Sequence, residues 1–83
     1  MIDYSGRNVL VTGGASGIGA ALATGLAARG ARVAVADRNL EGAEAVAARI
    51  GGGAVALVCD LTDPAVPAAL VTEVHARFGS LDL

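Results

Sequence analysis

The sequence predicts an α/β fold in which helices cover a parallel sheet. Three observations predict it. Short apolar runs rich in valine alternate with longer stretches whose apolar residues recur at helical spacing. A glycine-rich turn joins the first apolar run to the first helical stretch, and each later run ends at an acidic residue. We therefore expect the order βαβαβα with the start of a fourth strand, strands in the order 3-2-1 and strand 4 beside strand 1. This arrangement is half of a doubly wound fold, and residues 1–83 form one partial domain.

The first strand is predicted over Arg7–Val11, and a helix follows over about Gly17–Arg29. Apolar and small residues recur in this helix at i, i+4, i+7 and i+8, which predicts the face that lies on the sheet. This predicted stripe comprises Ile18, Leu22, Gly25, Leu26 and Arg29. Gly30 is typical of a residue just past a helix end.

The second strand is predicted over Arg32–Ala36 and ends at Asp37, and Asn39 is a good cap for the second helix. The third strand is predicted over Ala54–Cys59, and the third helix over about Pro64–Phe78. Thr62 or Asp63 is the expected cap of that helix, and residues 81–83 open the fourth strand. The predicted buried stripes are Leu40, Ala43, Ala47 and Ile50 in the second helix, and Leu70, Val71, Val74 and Phe78 in the third.

Composition excludes several classes of protein. The chain is 54% hydrophobic and carries a net charge of −2, and it shows no basic patch that would suit nucleic acid. No apolar run approaches the roughly 18 residues of a membrane span, and no signal peptide is evident, so we expect a cytoplasmic protein with no membrane partner. A single cysteine forbids an internal disulfide, and no His, Cys or acidic cluster has metal-ligand spacing.

The glycine-rich turn has the sequence context of a phosphate site, because it joins a buried strand to a helix N-terminus. Gly13 would let the chain turn sharply as it leaves the strand. Gly17 lacks a Cβ, so a pyrophosphate could approach the backbone closely, and Gly19 would let the helix pack tightly.

The spacing of these glycines, Thr-Gly-x-x-x-Gly-x-Gly over residues 12–19, resembles the N-terminal motif of the short-chain dehydrogenase/reductase family. The resemblance implies a Rossmann domain that binds a dinucleotide cofactor. It places six residues of the turn in the cofactor site: Thr12, Gly13, Ser16, Gly17, Ile18 and Gly19.

Asp37 lies 18 positions after Gly19, close to the roughly 20-residue offset of the acid that binds the adenosine ribose. A carboxylate there accepts from both ribose hydroxyls and repels a 2′-phosphate, which favours NAD over NADP. Arg38 instead favours NADP, because a guanidinium can pair with that phosphate. When the family uses NADP, it often carries a basic residue inside the turn or directly after the acid; Ser16 takes the first place here and Arg38 the second, so one of the two signals is present.

Asp60 and Leu61 end the third strand. In the resembled family this pair contacts the adenine ring: the carboxylate accepts from the exocyclic amine, and the next backbone N–H donates to a ring nitrogen. Asp60 could equally cap the third helix, and the two roles are compatible.

The family's catalytic groups are not in place. The resemblance implies a Tyr-x-x-x-Lys pair, a serine and an asparagine, but the chain has no lysine and its one tyrosine, Tyr4, precedes the first strand. The family's Asn-Asn-Ala-Gly motif would follow Leu83. Cys59 and His75 are interpreted as a small packed residue and a surface histidine. We expect the 83-residue chain alone to be inactive.

Three functions stay open. The chain is the cofactor-binding N-terminal part of an NAD(P)-dependent short-chain oxidoreductase that moves a hydride between nicotinamide and an alcohol or carbonyl. Alternatively, it is a non-catalytic dinucleotide-binding half-domain, or an excised or minimal fragment that folds by pairing. An open edge on strand 1 predicts self-association or pairing with a missing half.

Overall fold

In the computed structural model of the chain, which describes residues 3–60 and 66–82, strands and helices alternate as the sequence predicts. The elements are β1 (Asn8–Thr12), α1 (Gly17–Ala28), β2 (Arg32–Asp37), α2 (Leu40–Ile50), β3 (Val55–Val58) and α3 (Val66–Phe78). None of these helices, within the ranges described, is long and apolar enough to cross a lipid bilayer.

The three strands are parallel, and β2 lies between β1 and β3, which confirms the predicted order. Thr12 pairs with Ala36, and Asp37 pairs with Val58. The register therefore brings the carboxyl ends of all three strands to one edge of the sheet, where α/β folds bind ligands.

Strand β2 is buried on both faces, because helices cover each side of the sheet. Val33 and Val35 face one side and Ala34 and Ala36 the other, all with at most 1% of their surface exposed. The valine face packs against α1 and α2 in a cluster with Val9, Val11, Ala23, Leu26, Ala43 and Val46. The alanine face packs against α3 in a cluster with Leu57, Cys59, Leu70 and Val74.

The predicted buried face of α1 is wrong at three positions, and the exposed Arg29 is one of them. Ile18 is 88% exposed and Leu22 is 54% exposed. The helix instead buries Gly19, Ala23 and Leu26. These residues also follow an i, i+4, i+7 pattern, and their small side chains let the helix lie close to the sheet. In an alanine-rich helix that is apolar on most sides, periodicity alone does not identify the buried face.

The predicted stripes of α2 and α3 are largely correct. Ala43, Ala47, Leu70 and Val74 are buried, whereas Leu40 and Val71 are 38% and 42% exposed. The Asn39 side chain caps α2 as expected, since its Oδ1 accepts from the Gly42 N–H at 3.0 Å. The predicted caps of α3, Thr62 and Asp63, lie outside the described residues.

A fourth strand does not form within the described part of the chain, because residues 81 and 82 have no strand conformation. The chain nevertheless passes beside β1. The Asp82 N–H donates to the Asn8 carbonyl, and the Asn8 N–H donates to Asp82 Oδ2, both at 2.8 Å. This is the side of β1 on which the sequence places strand 4.

Candidate functional site

The turn after β1 is closed by its own hydrogen bonds. Gly13 has a φ of +67°, in the left-handed region that favours glycine. The Ser16 hydroxyl donates to the Gly13 carbonyl at 2.7 Å and accepts from the Gly19 N–H at 3.2 Å. Ser16 is thus the N-cap of α1, and it fixes the turn to the first turn of the helix.

The glycines of this turn have different surroundings. A Cβ on Gly19 would lie 2.1 Å from the Gly13 carbonyl oxygen, and one on Gly14 would lie 2.4 Å from Val35 Cγ1. No side chain fits at either position. A Cβ on Gly17 would meet no other described residue within 4 Å beyond its own helix and chain neighbours, and the φ of Gly17 is not positive. The described chain itself therefore does not require glycine at position 17, where the space beside the backbone is open.

The start of α1 presents backbone donors to this open space. Hydrogen bonds among the described residues use the N–H groups of Ser16, Gly19 and Ala20, and they leave those of Gly17 and Ile18 without an acceptor. The positive end of the helix dipole adds to these donors. This arrangement suits an anionic group, and a phosphate is the usual one.

Asp37 bridges the turn and the start of α2. Its Oδ2 accepts from the Ala15 N–H at 3.0 Å, and its Oδ1 accepts from the Asn39 N–H at 2.9 Å. These two backbone donors, first Asn39 and then Ala15, lower the pKa of the Asp37 carboxyl, and Arg38 adds to the effect. Asp37 is consequently an ionised acceptor at neutral pH, and each oxygen keeps lone pairs for a further donor.

Asp60 lies at the end of β3 beside an open cleft of about 430 Å³. Arg38, Val58, Cys59, Asp60 and Val66 line this cleft. Asp60 is exposed, whereas Cys59 is buried, and burial raises the pKa of its thiol. The interpretation of Cys59 as a small packed residue is confirmed. Leu61 lies outside the described residues.

The carboxyl edge of the sheet gathers the predicted cofactor residues that the structure describes. The turn, Asp37 with Arg38, and Asp60 follow the ends of β1, β2 and β3 respectively. Tyr4 lies at the opposite edge, where its N–H donates to the Arg29 carbonyl, and His75 is exposed on α3 as expected. No three His, Cys, Asp or Glu side chains within residues 3–60 and 66–82 lie close enough together to hold a metal ion.

The sequence analysis did not predict two groups of the site, the backbone N–H groups of Ala15 and Asn39 that donate to Asp37. No residue-type signal could have identified Ala15, because every residue except proline carries the same donor.

Residues 7–83 match the family described as short chain dehydrogenase, and the chain belongs to that family. A D-threitol dehydrogenase of Mycolicibacterium smegmatis is 49% identical over 81 residues, covering 94% of this chain and 31% of the relative. A 2,5-dichloro-2,5-cyclohexadiene-1,4-diol dehydrogenase of Sphingobium indicum is 50% identical over 82 residues, covering 99% and 33%. The chain spans about a third of the length of these curated relatives.

Solved structures share the fold. A 3-ketoacyl-(acyl-carrier-protein) reductase from Brucella melitensis, in a complex with NADH, superposes with a TM-score of 0.91 at 38% identity, over 96% of this chain and 33% of that one. A hydroxysteroid dehydrogenase from Escherichia coli has a TM-score of 0.91 at 34% identity, over 96% and 34%. These likenesses confirm the predicted family and the predicted Rossmann fold.

Proposed function

We propose that residues 1–83 are a partial dinucleotide-binding domain, the cofactor-binding N-terminal part of an NAD(P)-dependent short-chain oxidoreductase. One observation carries the proposal: among the described residues, the turn after β1 leaves open space at Gly17 beside two N–H groups that have no acceptor. The described residues give no reason for a glycine there, whereas a ligand that approaches the backbone closely would give one. The NADH bound to the Brucella reductase, whose fold this chain shares, supports a dinucleotide as that ligand.

The proposed placement of the cofactor follows the edge of the sheet. The pyrophosphate would lie against the N–H groups of Gly17 and Ile18, and Asp37 would accept from the adenosine ribose hydroxyls. The adenine would enter the cleft beside Asp60, where its exocyclic amine can donate to the carboxylate. The backbone contact proposed for Leu61 rests on the family resemblance alone.

The nicotinamide of this cofactor would supply hydride transfer to or from an alcohol or carbonyl carbon. We assign no catalytic residue within the chain. It contains no lysine, and its single tyrosine, Tyr4, lies at the edge of the sheet opposite the proposed site. The 83 residues alone are therefore expected to bind cofactor without turning over substrate.

NAD is the proposed cofactor in preference to NADP, because the Asp37 carboxylate would face a 2′-phosphate at close range. Replacing Asp37 by alanine should weaken NAD binding by about tenfold to a hundredfold, since hydrogen bonds to a charged acceptor are lost. Discrimination against NADP should relax at the same time. Calorimetric titration of the chain with NAD, NADP and ADP-ribose measures both effects.

Glu44→Gln is the matched control for this titration, because it neutralises an exposed carboxylate on α2. Its affinities for the three ligands should equal those of the unaltered chain. If NAD bound neither the unaltered chain nor Glu44→Gln, although circular dichroism showed that both are folded, the proposal that these residues suffice for binding would fail. Equal NAD affinity in Asp37→Ala would remove Asp37 from the site.

We also propose that the isolated chain self-associates through β1. Asn8 directs its backbone N–H and C=O groups away from β2, so alternation along the strand directs those of Leu10 the same way. No described residue pairs with them, and open strand edges invite pairing. Light scattering over a dilution series should show a dimer or larger species, and a monodisperse monomer at every concentration would contradict this proposal.

A further inference from the structure

Two hydrogen bonds tie the glycine-rich turn to the end of β2. The Gly14 N–H donates to the Ala36 carbonyl at 3.1 Å, and the Ala15 N–H donates to the Asp37 side chain at 3.0 Å. The first bond is between backbone groups and is available to any sequence. The second depends on the residue at position 37, so that side chain contributes to the shape of the turn.

Only a carboxylate can make both contacts seen at this position. Asp37 offers one oxygen to Ala15 and the other to Asn39. An asparagine of the same size has one acceptor oxygen and one NH₂ group, so one of the two backbone donors would face another donor. The ionised acceptor also makes each bond stronger than one between neutral groups. The lowered pKa of Asp37 agrees with an ionised group held by these donors.

We propose that Asp37 is a positioning residue for the glycine-rich turn, and that it holds the turn in its binding shape before any cofactor arrives. This inference deepens the proposed function and rests on it. It adds to the ribose contact a second role, which acts through Ala15 on the backbone donors at the start of α1. Those donors, on Gly17 and Ile18, lie two and three residues beyond Ala15 along the same short turn.

Inorganic pyrophosphate separates the two roles, because it has no ribose for Asp37 to bind. If Asp37 acted only through its charge and the ribose, its removal would strengthen pyrophosphate binding, since one negative charge beside the anion is lost. If Asp37 holds the turn, removal should weaken that binding. The two roles therefore predict opposite signs for the same measurement.

The experiment compares Asp37→Ala, Asp37→Asn and the control Glu44→Gln in the full chain, each checked for folding by circular dichroism. The first readout needs no ligand: it is the hydrogen exchange and chemical shift of the Ala15 amide by NMR. We expect exchange at Ala15 to rise at least about fivefold in Asp37→Ala. Asp37→Asn should give an intermediate rise, because one acceptor oxygen remains, and Glu44→Gln should give none.

The second readout is titration with pyrophosphate, whose dissociation constant should rise by about threefold to tenfold in Asp37→Ala. An unchanged Ala15 amide in both Asp37 variants, or tighter pyrophosphate binding in Asp37→Ala, would overturn the positioning role. If the unaltered chain bound neither pyrophosphate nor NAD, the proposed function would fail separately. The Ala15 amide would still decide whether Asp37 holds the turn.

Discussion

Replacing Gly19 by alanine should destabilise the chain by about 2 kcal/mol and abolish cofactor binding. The added methyl would lie 2.1 Å from the Gly13 carbonyl oxygen and 2.8 Å from the Gly13 carbonyl carbon. These are backbone atoms, so the clash is relieved only if α1 moves away from the turn. Overpacking of this kind typically costs about 1–3 kcal/mol. Denaturant unfolding followed by circular dichroism measures the loss, since the chain has no tryptophan.

Gly25→Ala makes the same substitution six residues further along α1. Among the described residues outside the backbone of its own helix, its Cβ would meet only the Arg29 Nη1 atom, at 3.7 Å, an ordinary van der Waals contact. Alanine is the better helix former by about 0.5–1 kcal/mol, so this control should be neutral or stabilising. Equal changes in the free energy of unfolding of the two variants would contradict the close packing of α1 at Gly19 against the Gly13 carbonyl.

Replacing Gly17 by alanine should leave the fold intact and weaken NAD binding by at least about tenfold. Apart from its chain neighbours and the backbone of its own helix, no atom of residues 3–60 and 66–82 lies within 4 Å of the added methyl, and the backbone conformation suits any residue. The methyl would instead occupy the space proposed for the pyrophosphate and hold it away from the backbone donors. The measurement is calorimetric titration with NAD, together with an unfolding curve to establish that stability is retained.

Gly25→Ala serves again as the control, because it lies outside the turn and should keep the original affinity. A Gly17→Ala chain that bound NAD as tightly as the original would contradict the proposed position of the pyrophosphate. Alanine substitutions at Gly17 and Gly19, two residues apart, are therefore expected to differ in their effect on stability. Gly17→Ala should lose the ligand with its stability retained, whereas Gly19→Ala should lose both stability and the ligand.

Most of the site could be predicted from the sequence, because its parts are coded by residue type and spacing. A glycine at position 13 is needed for a left-handed turn, and the structure shows a φ of +67° there. The acid at position 37 is the last residue of a strand, and the four residues before it are all buried. Both signals are local, so the alternation of strands and helices was sufficient to place them on one edge of the sheet.

The buried face of α1 could not be predicted for a physical reason. Ile18 and Leu22 are the large apolar residues of its first half, yet the sheet accepts Gly19 and Ala23 instead. Close approach of the helix to the sheet favours small side chains, and that geometry depends on elements distant in sequence. The contact of Asp37 with Ala15 could not be predicted either, because its donor is a backbone group that every residue except proline carries.

The alternation of β2 has a consequence for the position of the carboxylate. Side chains point to opposite faces at successive positions, so Asp37 shares its face with Val33 and Val35 and thus lies on the side of α1 and α2. A one-residue insertion or deletion inside β2 would swap its valine and alanine faces and turn the carboxylate away from Ala15. The length of this strand is therefore set in units of two residues. The number of residues in β2 therefore decides both which side chains enter each part of the core and which way the carboxylate at its end points.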